Sequence, residues 1–335
     1  MASKLDIGKE EDVDVAARAL SKLDIGKEED VDVAARALAQ GRTLCTSFGN
    51  FCAVLMLPGK DHIQRVNLMK GRPADQVASL VTTREHFPSL FDWAQLPVGL
   101  KQAQVLDFIN ELASIGPCGF RGPAAAAIPK HLMTRDADVD TVQLVVPGDL
   151  CRSNAILDGV FNRLPSNAPK YVCGSSANIS HLKTGSQHEP AHYKLSGLQK
   201  DFGARSDVCF VGHTDEASVL GSYPLHVPTS TSIVSFHTLG GVAPAKPPVL
   251  IIQRHGSLSV RTIREIASRH GLGVELGAKA THRLPICEYP GDGHCKEMSH
   301  FKQAVTKWTA DKLRDVSDCV SMAVAVDAAA HSSTD

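Results

Sequence analysis

The chain of 335 residues lacks an excess of charge of either sign: 35 lysines and arginines meet 36 aspartates and glutamates, for a formal net charge of -1. This excludes a whole-molecule positive field drawing it to nucleic acid or anionic lipid, and leaves only local basic patches. No apolar run approaches the roughly 20 residues that span a bilayer. The acidic, polar first stretch has neither the basic flank nor the apolar centre of a secretory signal, so a cytoplasmic location is expected. The nine cysteines are odd in number and include no CxxC pair. Reduced thiols are therefore expected, most of them small core residues. There is no G-x-x-x-x-G-K-S/T run and no G-x-S-x-G elbow, so neither a P-loop NTPase nor an α/β-hydrolase finds support.

What is present is enough to build a core: 43% of residues are hydrophobic and 21% charged, which argues against disorder. The length suits one large domain with extras, or two small domains. Residues 3–20 recur without a change at 21–38. Solenoid units recur at least three times and drift, so a single duplication is the better reading. Each copy sets Asp and Glu ahead of an apolar stripe, Val13, Val15, Ala16 and Leu20 in the first and Val31, Val33, Ala34 and Leu38 in the second. That pattern reads as a helix with acids at its positive N-terminal end. Only the second copy runs into the rest of the fold, which leaves the first, residues 1–20, as a spare element.

Beyond the repeat, short β-rich apolar runs at 53–57, 77–81, 142–146, 171–173, 208–211, 232–236 and 249–252 alternate with helical patterns at 62–69, 101–114, 153–164, 260–270 and 299–322. Some strands follow one another with no helix between them, so a mixed sheet is expected. Pro, Ala and Gly crowd 116–129 and 241–248, which read as loops. Near residue 275 the strand pattern stops and a Cys- and His-rich stretch begins.

Two segments could carry chemistry. Lys70 and Arg72 flank Gly71 at a helix exit, where two cations can grip a polyphosphate from both sides. Ser175-Ser176-Ala177-Asn178-Ile179-Ser180 follows the run at 171–173, at the end of a strand, where open α/β sheets bind ligands. Read singly, the first is solvated charge on a turn and the second a polar cap. Together with Ser230-Thr231-Ser232-Ile233-Val234 and Ile252-Gln253-Arg254-His255-Gly256, their order and spacing resemble the Sua5/YciO/YrdC family, over roughly residues 30–276.

The resemblance implies an α/β fold, a YrdC-like twisted mixed sheet with flanking helices around a concave groove. It implies a domain at 21–276, followed by an extension at 277–335 with a Cys/His-rich loop and a helix. In that family the domain makes threonylcarbamoyl-adenylate from threonine, bicarbonate and ATP, for modification of a transfer-RNA adenosine. Carried over residue by residue, Lys70, Arg72, Ser176, Asn178, Ser180, Ser230 and Arg254 would bind the nucleotide, and Thr46, Ser47, Phe48 and His181 would line the substrate pocket. ATP with Mg²⁺ is the implied cofactor, a small molecule the implied substrate, and an RNA or protein partner is compatible; no membrane is involved.

This sequence departs from the family's pattern chiefly on the amino-acid side. Phe48 stands where the family has a hydrogen-bonding residue, Val145 where it has a cation, and His181 where it has a glycine. The pattern suits a diverged relative with another acceptor, and the alternative is a non-catalytic protein that binds a nucleotide, RNA or partner. His282, Cys287, His294, Cys295 and His300 have zinc-type side chains but fit no standard spacing, and His181, His188 and His192 are explained equally by a polar loop. No metal site is expected.

Overall fold

The computed structural model describes residues 22–180, 183, 192, 194–215, 219, 222–241 and 247–282. The first repeat copy, His181, His188 and everything after His282 lie outside them. The described residues form a twelve-stranded mixed sheet flanked by helices. No described helix is long and apolar enough to cross a membrane.

The second repeat copy folds as its pattern requires. Helix α1 (Glu28–Ala39) carries Glu28, Glu29 and Asp30 in its first turn and buries Val31, Val33, Ala34 and Leu38. Ahead of it, β1 (Lys22–Asp24) was not expected; it pairs in parallel with β9 (Val208–Gly212). The Asp24 amide donates to Asp30 Oδ2 at 2.9 Å, tying strand to helix.

The remaining elements are β2 (Thr43–Phe48), β3 (Phe51–Met56), α2 (Lys60–Lys70), β4 (Ser79–Val81), α3 (Gln102–Ile115), β5 (Cys118–Pro123), β6 (Thr134–Asp136), β7 (Val139–Val146), α4 (Ser153–Arg163), β8 (Val172–Ser176), α5 (Leu195–Phe202), β10 (Ile233–Ser235), β11 (Val249–His255), α6 (Val260–Arg269) and β12 (Gly273–His282). The strand order is β1-β9-β2-β3-β8-β4-β7-β5-β10-β11-β12, with β6 joined to β7. Side chains alternate across each strand, so the sheet has two faces with separate cores. On the first face Cys45, Val54, Leu80, Phe120 and Leu144 pack against Val66 of α2, Phe108 of α3, Leu198 of α5 and Ile263 of α6. On the second, Leu44, Phe48, Leu55, Val81 and Val145 pack with Leu38 of α1 and Leu157 of α4. Each such fully buried side chain contributes roughly 1.5–3 kcal/mol.

Three expectations are corrected. The stretch 116–129 is not all loop: β5 runs through it in the interior of the sheet, antiparallel to β7 and parallel to β10. Cys118 and Phe120 fill the first face, and pairing on both edges overrides the local Gly and Pro signals. The strand pattern does not stop near 275, because β12 continues to His282 alongside β11. At the end of the strand order it carries polar residues that hide its alternation. Finally, Ser175 and Ser176 are the last residues of β8, not a turn after it.

Candidate functional site

Helix α2 ends because Gly71 adopts φ 71°, ψ 37°, the left-handed conformation that favours glycine. The Arg72 amide donates to the Asn67 carbonyl at 2.8 Å and the Gly71 amide to the Leu68 carbonyl at 3.0 Å, a Schellman closure. Asn67 Nδ2 then holds the outgoing chain through the carbonyls of Ala74 (3.1 Å) and Gln76 (2.8 Å). This turn sends Lys70 and Arg72 to different environments.

Lys70 is fully buried, and its Nζ donates to the Ser176 carbonyl. Burial, helped by the neighbouring Arg72 charge, drives its amine well below the ordinary lysine range. It is therefore not the solvated turn cation that the sequence suggested. Arg72 is half-buried, and its guanidinium donates to Ser175 Oγ at 2.6 Å. The Ser180 amide donates to the Lys70 carbonyl at 2.8 Å, Ser176 Oγ to Asn178 Oδ1 at 2.8 Å, and Asn178 Nδ2 to the Ile179 carbonyl at 2.8 Å. Two motifs about a hundred residues apart thus form one hydrogen-bonded cluster.

Ser230 and Arg254 form a second cluster. Arg254 donates from Nε to the Thr231 carbonyl (2.7 Å) and from its terminal nitrogen to Thr231 Oγ1 (2.8 Å). The Ser257 amide donates to the Ser230 carbonyl at 2.8 Å. This approach requires Gly256, since a Cβ there would lie 2.3 Å from the Ser230 carbonyl oxygen. Nearby, Asn50 Oδ1, Thr229 Oγ1 and Ser257 Oγ are buried without a hydrogen-bond partner among the described residues. Natural interiors seldom tolerate such orphans. Their chemistry, one acceptor and two hydroxyls beside Arg254, is compatible with a polar ligand such as a nucleotide.

The β2–β3 turn joins the two clusters. Asn50 Nδ2 donates to the Val227 carbonyl at 2.7 Å, on the second cluster's loop, and the Ala177 amide donates to the Cys52 carbonyl at 3.0 Å, on the first. The expected pocket residues Thr46, Ser47 and Phe48 lead into this turn and are all buried. Phe48 packs edge-on against Phe51, with ring centroids 5.5 Å apart, in the same apolar cluster as Val145. At both positions where a polar partner was expected, apolar packing stands instead. His181 lies outside the described residues.

Three solved structures are similar to this chain in fold. A doubly substituted P. abyssi Sua5 matches with a TM-score of 0.53 at 14% identity, over 77% of this chain and 64% of its own. P. abyssi Sua5 complexed with L-threonine matches with a TM-score of 0.53 at 15% identity, over 74% of this chain and 60% of its own. A hypothetical protein of Streptococcus mutans matches with a TM-score of 0.52 at 15% identity, over 75% and 95%. The fold is Sua5/YrdC-like. The chain spans less than two thirds of the length of the two Sua5 structures. No family pattern and no curated protein matches it by sequence.

Within this Sua5-like frame, Asn50, Thr229 and Ser257 are polar positions that sequence reading passed over. Thr229 adjoins the Ser230-Thr231-Ser232 run, but a single Asn, Ser or Thr carries no pattern of its own. Of His181, His188 and His192, only His192 is among the described residues, and its Nε2 lies 2.7 Å from Asp201 Oδ2. Among the described residues no three His, Cys, Asp or Glu side chains converge as a metal site would require. The buried thiols of Cys45 and Cys173 are pushed up by burial, and that of Cys118 to about 12, which suits inert core residues.

Proposed function

We propose that the chain is a cytoplasmic, nucleotide-dependent transferase of the adenylate-forming or carbamoyl type, whose small-molecule substrate differs from threonine. The observation that carries this reading is the convergence of Lys70, Arg72, Ser175 and Ser176, with Ser180 tied back to Lys70. A Sua5-like fold that holds L-threonine in P. abyssi supports it. ATP with Mg²⁺ would supply an activated phosphoryl centre. Arg72 would hold phosphate oxygens, Lys70 behind it would fix the Ser176 carbonyl, and Ser230, Arg254, Asn178 and the orphaned acceptors would take the rest of the nucleotide. Such a site works by positioning and charge neutralisation, which asks for cations and amides and no nucleophile. The Mg²⁺ would be held largely by phosphate oxygens and water.

Phe48 and Val145, packed in the core, remove two polar partners of a zwitterionic amino acid, so threonine is expected to be a poor substrate. The test is pyrophosphate release from ATP with Mg²⁺, bicarbonate and a panel of amino acids. Amino-acid-dependent release supports the transferase, with threonine among the weakest. Threonylcarbamoyl-adenylate formed at the rate of an ordinary synthase would show that the departures are cosmetic. ATP binding without turnover would favour the alternative, a binding protein for a nucleotide, RNA or partner.

A further inference from the structure

Helices α1 and α4 cover only part of the second face. Beyond Val81 and Val145, that side carries polar side chains at Ser79 on β4, Thr141 and Gln143 on β7, and Arg121 on β5, with Gly119, Pro123 and Val139 beside them. Arg121 sits opposite Gln143 on one side and Ser235 of β10 on the other, so it is placed in the interior of the sheet. Ser79, Gln143 and Arg121 are half-buried, within reach of a ligand.

The guanidinium is held by neutral acceptors only. One terminal nitrogen donates to Gln143 Oε1 at 2.9 Å and the other to Thr141 Oγ1 at 3.2 Å. Gln143 is fixed in turn by donating to Ser79 Oγ at 2.5 Å. Arg121 Nε is buried and has no hydrogen-bond partner among the described residues. Asp136 is the carboxylate whose charge it feels, and the two form no ion pair. Asp136 Oδ2 instead meets His237 Nε2 at 3.1 Å and Gln253 Nε2 at 3.2 Å. His237 is locked on its other side, 2.8 Å from Ser235 Oγ. The counter-charge nearest to Arg121 is thus tied up elsewhere, leaving a preorganised cation with an open donor. A guanidinium in this setting matches a carboxylate, whose oxygens accept its in-plane donors.

We propose that Arg121, aligned by Gln143 and Thr141, is the anchor for a carboxylate group of the small-molecule substrate. This rests on the reading that the site takes such a substrate beside a nucleotide. It assigns the nucleotide phosphates to Arg72 and the Ser230 cluster, and the carboxylate to the middle of the second face.

The test is nitrogen-15 NMR of the full chain, following the Arg121 Nε–Hε resonance identified by its loss in Arg121→Lys. Titrants are sodium acetate, L-alanine, L-alaninamide and inorganic phosphate. A saturating shift with acetate and L-alanine, and none with alaninamide, is expected. Gln143→Glu sets a carboxylate against the guanidinium at unchanged size and should weaken acetate binding at least tenfold. An Nε–Hε resonance unmoved by acetate overturns the proposal, as does a shift with phosphate alone or undiminished acetate binding in folded Gln143→Glu. Calorimetry of ATP on the parent keeps the two readings apart. ATP bound without an acetate response removes the anchor and leaves the nucleotide site, whereas an acetate response without ATP binding does the reverse.

Discussion

The two halves of the sheet's second face are built from opposite materials. Under α1 and α4 the strands present Leu44, Phe48, Leu55, Val81 and Val145, all buried. Two residues along β4 and β7, and on the next two strands β5 and β10, the same face presents Ser79, Gln143, Arg121 and Ser235, joined by side-chain hydrogen bonds or strand register. Val145 and Gln143 are two residues apart on one strand, so the change occurs within about 7 Å. The first face shows no such change, for its apolar core continues from Cys45 through Leu80 and Phe120 to Leu250 and Ile252. Stability is thus carried by the first face and half of the second, and a polar interior surface is left where binding is proposed. The departures at Phe48 and Val145 fall on the apolar side of that boundary.

The largest effect should come from breaking the apolar half. Phe48→Ala removes a fully buried ring that packs on Phe51, and it should destabilise the chain by about 3–5 kcal/mol in chemical denaturation. Gln143→Leu, two residues from the boundary, should cost less, about 1–3 kcal/mol, since it loses one bond from the Arg121 guanidinium and one to Ser79 on a half-buried surface and leaves no cavity. Equal losses would show that the polar half is core as well.

Next in size is the phosphate side. Arg72→Ala removes a half-buried guanidinium whose described side-chain bond is to a neutral hydroxyl, so the melting temperature should move by only a few degrees. A charge-assisted bond to phosphate contributes about 1.5–3 kcal/mol, so ATP affinity should fall at least about tenfold by calorimetry. Unchanged affinity in the folded variant would remove Arg72 from the phosphates.

Lys70 gives a smaller effect with a definite sign. Its folded pKa is depressed, so between that value and the unfolded one, about 10.4, the unfolded chain binds more protons and stability rises with pH. Lys70→Met keeps the length and loses the titration. Its stability relative to the parent should therefore be greatest at low pH and fall as pH rises, by at most about 1.4 kcal/mol per unit. Taking the difference between the two proteins cancels the buried thiols, which titrate in both. A difference independent of pH from 7 to 10 would mean that Lys70 remains charged when buried.

Much of this was legible in advance. The runs at 53–57 and 208–211 and the helical patterns at 101–114, 153–164 and 260–270 match β3, β9, α3, α4 and α6 closely, because strands buried on both faces read as continuous apolar runs and helices buried on one face read as stripes. The Lys-Gly-Arg turn and the Ser-Ala-Asn strand end were legible as motifs, and the structure brings them together. What could not be read is what only the tertiary fold decides. Strand β5 is held by partners on both edges despite its two glycines and a proline. Lys70 and Arg72, two residues apart, differ in burial because one left-handed glycine turns the chain between them. Arg121 looks like any surface arginine until its register opposite Gln143 and Ser235 is known.

The smallest expected effect concerns the repeat. Residues 22–24 and 28–38 of the second copy already occupy the position beside β9 and pack against α4, so an identical first copy finds that position filled. Strand β1 joins by three paired positions, Lys22 to Phe210, Leu23 to Val211 and Asp24 to Gly212. Those contacts use the second copy because it is joined directly to β2 through Gly41, where φ is 87°. Deleting residues 3–20 should leave the melting temperature within a few degrees, because the second copy already supplies the strand and helix that join the sheet. ATP affinity should also stay unchanged. A large drop in melting temperature would mean that the first copy shares the slot of the second or closes a contact between two molecules, and a concentration-dependent melting temperature in the parent alone would identify the latter.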